Sequence, residues 1–370
     1  MKIAYFIGTL RKEDGVTTVL LHLVQEAKKQ GIESIIITGW AQDASISPVP
    51  VIQTPSLVFP FYREYRLSIA GVRGFEKKLN SFKPDIIHLH SPDTLGFAGL
   101  KYAKKYHVPI VATYHTNFAK YLAYYHATIL LPLFWSIFRK FYNQMDLVTT
   151  PSDVTTEELF KEKIKNVKTI PWGVDFTKFS PSFRSEEWRQ KMFHGKTGKI
   201  LISVCRLTWE KDLKVLAAAY RMLKEKRDDF VMVVAGEGPN GKELESLMPG
   251  AIFLGHLGGK ELSEAYASSD ILVFPSTTET FGNVTIEGMA AGVVPVVANA
   301  GGSKSLIIDG KNGILTEPKN AQDFYEKTNK LLDDEELQKK IRTAGLEFVK
   351  DFTWEKVFSH LLEIYQNLLK

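Results

Sequence analysis

"DILVFPSTTETFGNVTIEGMAAGVVPVVANA", residues 270–300, decides how the chain is read. "DILVFPS" is a short apolar run of the kind that forms a fully buried strand, and "VVPVVANA" is another. Between them a turn bearing Gly282 opens a helix. Strand, helix and strand in so short a span require parallel strands joined by a crossover helix.

The same alternation extends outward. Upstream, "ILISVCR" reads as a strand, "KDLKVLAAAYRMLKEK" as a helix, and "FVMVVAGEG" and "AIFLG" as strands. The first half repeats the rhythm, with strands "KIAYFIG", "SIIITG", "DIIHLH", "PIVATYH" and "DLVTTPS". Its helices are "TTVLLHLVQEAKKQG", "RLSIAGVRGFEKKLNSF", "LGFAGLKYAKKYH" and the capped "SDVTTEELFKEK". A polar stretch, "VDFTKFSPSFRSEEWRQKMFHGKTGK", separates the halves, so the linker is expected between about Pro171 and Lys199. The expectation is α/β: two parallel sheets, each covered on both faces, facing a cleft, with ligands outside the carboxyl ends of the strands.

The 370 residues allow two sizeable cores, and the composition is that of an ordinary globular protein. A single cysteine, Cys205, excludes an intramolecular disulfide framework and suggests a cytosolic compartment. Met1-Lys2 runs straight into a strand-like segment, so no secretory leader is expected. Residues 1–172 hold 21 Lys+Arg less 14 Asp+Glu, or +7, whereas the remainder holds 26 less 28, or −2. A basic first half suits phosphate, nucleic acid or an anionic membrane, and equally a solvated lysine-rich surface. One segment breaks the pattern: "YLAYYHATILLPLFWSIF", residues 121–138, is aromatic and without formal charge, is interrupted by Pro132, and is flanked by Lys120, Arg139 and Lys140. It reads as a buried aromatic helix, as an interfacial segment dipping into a bilayer or, at the lower limit of spanning length, as a transmembrane helix.

Glu279 and Glu287 stand on either side of the Phe281-Gly282-Asn283 turn. Free backbone N–H groups where a helix opens after a strand bind anions. Carboxylates are bidentate acceptors for vicinal hydroxyls. A phosphate flanked by polyols, as in a nucleotide sugar, has the matching shape. Arg206 and Lys211, just after "ILISVC", are placed to neutralise a departing diphosphate. Gly236 and Gly238 in "GEGP", and Gly15 in "LRKEDGVTT", permit close backbone approach or simply form turns. His115 can donate to a sugar hydroxyl or serve in acid/base work. His88 and His90 share a strand face without a third ligand at metal-site spacing, so packing or substrate contact is expected and no metal site.

Taken together these residues resemble the retaining glycosyltransferases of family 4, which adopt the GT-B fold. The resemblance rests on the Glu279/Glu287 pair, the Arg-x4-Lys segment "CRLTWEKDL", "GEGP", residues 267–302, "DGKNGILTEP" and the terminal "FTWEKVFSHLLEIYQNL". In the first half, "PFYREYRLSI", "FKPDIIHLHSPDTLGFAGLKYAKK" and "YHTNFAKYLAYY" are similar to the branch containing sulfoquinovosyldiacylglycerol synthases and diacylglycerol mannosyl- and glucosyltransferases. Two departures are that the loop at Gly15 lacks a double glycine and that Gly288 replaces an alanine.

The resemblance implies two Rossmann-like domains facing a cleft, 1–172 on the acceptor side and 173–350 for the donor, with a helix, 351–370, crossing back to the first. It implies a hexosyltransferase that uses UDP-glucose or GDP-mannose and retains anomeric configuration. Glu287 would hold the ribose and Glu279 the donor sugar. Backbone N–H groups of Phe281, Gly282 and Asn283 would seat sugar and phosphate. Arg206 and Lys211 would stabilise the leaving diphosphate, and His115 would contact the donor sugar. No metal or other cofactor and no nucleic acid would be needed. The implied acceptor is a lipid or glycolipid, met by Tyr121, Tyr125, Lys120, Arg139 and Lys140 on the inner face of the cell membrane. A soluble or polysaccharide acceptor, a nucleotide-sugar epimerase and a non-catalytic nucleotide-sugar sensor are the alternatives.

Overall fold

The computed structural model describes every residue except Glu13, Pro60, Phe61, Phe118, 120–127 and 194–197; residues 59 and 62–65 are described in backbone only. The chain divides into two units, Met1–Trp172 with Trp354–Lys370, and Gly173–Thr353.

In the first unit the strands are β1 (Lys2–Leu10), β2 (Glu33–Ala41), β3 (Val51–Gln53), β4 (Ser56–Phe59), β5 (Tyr62–Ser68), β6 (Ile86–Leu89), β7 (Ile110–Thr113), β8 (Leu147–Thr150) and β9 (Val167–Thr169). Seven form one parallel sheet in the order β3-β2-β1-β6-β7-β8-β9. Residues 3–10 of β1 are all buried, which is why the central strands read as unbroken apolar runs rather than alternating ones. The crossover helices are capped by side chains that the sequence places one residue ahead. Asp93 accepts from the amides of Leu95 and Gly96, both at 2.9 Å, to open Thr94–Tyr106, and Ser152 caps Asp153–Lys161.

Two expectations fail here. "RLSIAGVRGFEKKLNSF" is not one helix: β5 pairs antiparallel with β4 through Ser68, and the helix is only Glu76–Phe82. Arg66 is fixed in the hairpin by its guanidinium, 4.7 Å over the Trp40 ring, and Gly71 turns the chain at φ +53°. Pro132 does not interrupt a helix. It sits in the first turn of Leu131–Tyr142, where a missing N–H is no loss.

The second unit contains β10 (Lys199–Val204), β11 (Phe230–Ala235), β12 (Ile252–Phe253), β13 (Ile271–Phe274), β14 (Val294–Ala298) and β15 (Ile314–Thr316), all parallel, in the order β12-β11-β10-β13-β14-β15. The segment read as a polar linker is part of this unit. Helix Glu186–Phe193 buries Met192 and Phe193 against Ile200 and Val233. Its Arg189 is buried, donating to Asp270 Oδ2 at 3.0 Å, to the Ser268 carbonyl at 2.7 Å and to the Gly198 carbonyl at 3.0 Å. A charged residue can be buried this way because a carboxylate and two carbonyls compensate the lost water.

The last helix, Trp354–Leu368, belongs to the first unit. Trp354 stacks on His22 with ring centroids 4.6 Å apart, and the Tyr365 hydroxyl lies 2.7 Å from His88 Nδ1.

Candidate active site

The second sheet has the order 3-2-1-4-5-6 of a doubly wound domain, with β10 in the first place and β13 in the fourth. Connections from these neighbours diverge at their carboxyl ends, and the crevice left there is where such sheets bind ligands. Arg206 and Lys211 follow β10, whereas Ser276, Thr277 and Glu279 follow β13. The two loops are tied together. Asp212 Oδ2 accepts from the Thr277 amide at 2.9 Å and its hydroxyl at 2.7 Å, and the Thr278 hydroxyl donates to the Glu210 carbonyl at 3.1 Å.

This brings Lys211 and Glu279 together, Nζ to Oε1 at 2.6 Å, with the Ser276 hydroxyl donating to the same oxygen at 3.0 Å. Arg206 is half-exposed and donates to Glu210 Oε1 at 2.8 Å. The Glu210 carboxylate is buried, and its Oε2 has no hydrogen-bond partner among the described residues. Both cations are therefore oriented by carboxylates. The sequence reading missed Glu210, Asp212 and Ser276. Glu210 was legible in principle, since it stands four residues from Arg206.

Glu287 lies in helix Asn283–Ala290, partly buried, with the Tyr266 hydroxyl 3.3 Å from Oε2. Burial holds its carboxyl in the neutral form up to about pH 8, far above the usual carboxylate range, against the opposing effects of Tyr266 and Lys178. Gly282 caps that helix at φ +99°, a conformation open to glycine but strained for other residues. A Cβ at Gly282 would come 2.5 Å from Ser303 Oγ, and one at Gly302 would come 2.3 Å from the Phe281 amide nitrogen. Gly302 also donates its amide to the Glu279 carbonyl at 2.7 Å. The Glu279–Gly282 backbone is thus seated on the helix Gly301–Ser305, while Phe281 buries its ring near Phe352.

Gly236 and Gly238 have a packing reason of their own. A Cβ at Gly236, which has φ +132°, would meet the Cys205 carbonyl at 1.8 Å, and one at Gly238 would meet that of Leu207 at 2.4 Å. These glycines let the turn after β11 lie against the Arg206 segment. Burial pushes the Cys205 thiol up to about 12, so it stays neutral.

In the first unit, Gly15 is the first residue of helix Gly15–Lys29, capped by Asp14, with nothing within 4 Å of where a Cβ would stand. His90 and His115 follow the carboxyl ends of β6 and β7, with His90 Nδ1 2.8 Å from His115 Nε2. Burial, and secondarily the electrostatic interaction with the neighbouring His90 ring, hold His115 well below the usual histidine range, so it is neutral at physiological pH and is no ready proton donor of the cationic kind. Among the described residues no cluster of three or more His, Cys, Asp or Glu could hold a metal ion.

Lys120, Tyr121 and Tyr125 lie outside the described residues. Arg139 pairs with Glu162 at 3.4 Å, and Lys140 is exposed. Helix Leu131–Tyr142 buries Phe138, Phe141 and Tyr142, yet leaves Leu133 61% and Ile137 47% exposed, continuing a stripe from Leu130 and the 88% exposed Ile129. No helix among the described residues is long and apolar enough to cross a membrane.

Two parallel α/β units, with cations and carboxylates at the switch point of the second, define a sugar-transferring enzyme of GT-B type. Residues 184–348 match the family described as glycosyl transferases group 1, and residues 14–178 match glycosyltransferase family 4. The chain is 37% identical over 343 residues to the sulfoquinovosyl transferase SQD2 of Arabidopsis thaliana, covering 90% of this chain and 66% of that one. It is 30% identical over 361 residues to a GDP-mannose-dependent alpha-mannosyltransferase of Corynebacterium glutamicum, covering 96% and 86%. It is 29% identical to the alpha-monoglucosyldiacylglycerol synthase of Streptococcus pneumoniae, covering 81% and 71%. A glycosyltransferase structure from Rickettsia africae superposes with a TM-score of 0.79 at 20% identity, covering 100% and 98%. The chain belongs to the group 1/family 4 glycosyltransferases and is a hexosyltransferase.

Proposed function

We propose that this chain is a retaining glycosyltransferase that moves a hexose from UDP-glucose or GDP-mannose to a lipid or glycolipid acceptor at a membrane surface. The observation that carries the reading is the Arg206–Lys211–Glu279 constellation at the β10/β13 switch point, a place where ligands of such sheets bind. Glu287, one helical turn beyond the Gly282 cap, holds the ribose. Arg206 and Lys211 take up the charge of the departing diphosphate, which grows in the transition state, so they act on rate more than on ground-state binding. In that role they supply the positive charge, and no metal or other cofactor is required.

For retention, the bond from the anomeric carbon to phosphate oxygen breaks as the acceptor oxygen bonds to the same face. The acceptor proton passes to the leaving phosphate. The lipid acceptor is supported by the relative named for making glucosyldiacylglycerol and by the exposed Ile129–Ile137 stripe beside Arg139 and Lys140, which suits the apolar and anionic layers of a membrane surface. The donor is tested by thermal denaturation with UDP and with GDP. One nucleotide should raise the melting temperature, and Arg206→Ala should reduce the rise. No shift with either nucleotide refutes the donor assignment.

A further inference from the structure

Tyr266 is fully buried in the helix Gly259–Ala267, which follows β12. Its ring is held on two sides. The Phe179 ring meets it edge-on with centroids 5.7 Å apart, and in the helix Asn283–Ala290 a Cβ at Gly288 would already touch Tyr266 Cε1 at 3.7 Å. This packing leaves the hydroxyl one hydrogen-bond partner among the described residues, Glu287 Oε2 at 3.3 Å.

A buried hydroxyl has to place its hydrogen, and Oε2 is the acceptor in reach. An acid proton of Glu287 on Oε2 would set donor against donor and strand the tyrosine hydrogen. The proton of the neutral acid therefore sits on Oε1, which has no partner among the described residues and is open to solvent. A separation of 3.3 Å is long for O–H···O and belongs to a neutral acceptor. On ionisation the bond becomes charge-assisted, and such bonds are shorter and about twice as strong. Tyr266 thus favours the carboxylate, against the burial that raises Glu287. The other groups facing the pair do less. Lys178 is half-exposed, with Nζ drawn to Asp175 Oδ2 at 3.0 Å. The Cys205 thiol beside Tyr266 stays neutral, and so does Tyr266 itself, which burial holds far above the usual phenol range.

We propose that Tyr266 is a positioning residue for Glu287: its buried hydroxyl fixes the Oε2 edge and stabilises the carboxylate form in which Glu287 takes up the ribose. The ribose rests on the proposed glycosyltransferase reading; the pairing of Tyr266 with Glu287 does not. Tyr266 acts through Glu287 alone, so its influence must fade where Glu287 is ionised without help.

Tyr266→Phe removes the hydroxyl and keeps the ring. Carbon NMR of the full chain labelled at the glutamate carboxyls, with the Glu287 signal assigned from Glu287→Gln, follows the titration in the free protein. The Glu287 midpoint should rise by about one pH unit in Tyr266→Phe, from about 8 to about 9. An unmoved or lowered midpoint overturns the proposal. This readout stands even if no nucleotide sugar binds, a result that would remove the donor assignment instead. The second arm measures Kd for UDP-glucose and GDP-mannose by calorimetry. At pH 7 Tyr266→Phe should bind the donor about tenfold more weakly than wild type, and by pH 9 the gap should close to about twofold. A merely structural tyrosine would give a loss of the same size at both pH values. That result, or no loss at either, overturns the positioning role.

Discussion

Donor binding should expel a proton from Glu287. In the free protein burial keeps this carboxyl neutral up to about pH 8, with the Tyr266 hydroxyl 3.3 Å away. Accepting two ribose hydroxyls requires the carboxylate. At pH 7, about one unit below that value, ionising it costs about 1.4 kcal/mol. Donor affinity should therefore fall about tenfold per pH unit below 7 and level off above 8. UDP-glucose and GDP-mannose are the right probes, because neither titrates between pH 6 and 8. Calorimetry in buffers of differing ionisation enthalpy should register the released proton. Glu287→Gln should abolish the pH slope and weaken the high-pH affinity by about 1.5–3 kcal/mol.

Stability should move the opposite way. A raised carboxyl in the folded state contributes stability that is full below its unfolded value and is lost as pH rises through about 8. The always-neutral Gln variant should thus match wild type below about pH 4 and exceed it near pH 9. The shift from 4.5 to about 8 sets an upper limit of about 5 kcal/mol, and partial exposure reduces this to about 2–3 kcal/mol. A flat donor affinity in wild type from pH 6 to 8, or the same slope in Glu287→Gln, refutes the reasoning.

Gly302→Ala drives a methyl to 2.3 Å from the Phe281 amide nitrogen. It should cost at least about 2 kcal/mol in urea unfolding and weaken donor binding more than about tenfold by displacing the Glu279–Gly282 backbone. Arg189→Met leaves the Asp270 carboxylate buried without its close cation, and equilibrium unfolding should show a loss of about 3–5 kcal/mol. Serine at Ile129, Leu133 and Ile137 should weaken co-sedimentation with anionic vesicles while changing stability by no more than about 0.5 kcal/mol per site, since those side chains are exposed; unchanged vesicle binding would count against a membrane role for the stripe.

The central strands were legible because burial on both faces writes them as unbroken apolar runs, as in "ILISV", "FVMVVA" and "VPVVA". Edge strands β3, β9 and β15, of three residues each, carry no such signature, whereas the edge strand β12 was readable in "AIFLG". The β4–β5 hairpin was misread because the helical composition of "FEKKLNSF" extends back into "RLSIAG", and the antiparallel pairing that overrides it is a tertiary fact. Helix Glu186–Phe193 looked like linker because its buried arginine meets a partner 81 residues away. At the site, residue types at the carboxyl ends of strands were readable from their position. Their pairing was not: Lys211 and Glu279 are 68 residues apart, and His90 and His115 are 25 apart. Nothing in the sequence indicated that His115 would be too deeply buried to carry a charge.

The most direct measurement is transfer of radiolabelled sugar from UDP-glucose or GDP-mannose into the lipid extract of diacylglycerol vesicles, with the anomeric configuration of the product read by NMR. The expected result is label in lipid from one of these donors, retained α-configuration, and turnover nearly abolished in Arg206→Ala and Lys211→Ala. Label appearing only in soluble acceptors, an inverted product, or epimerised donor with no transfer would contradict a retaining lipid glycosyltransferase.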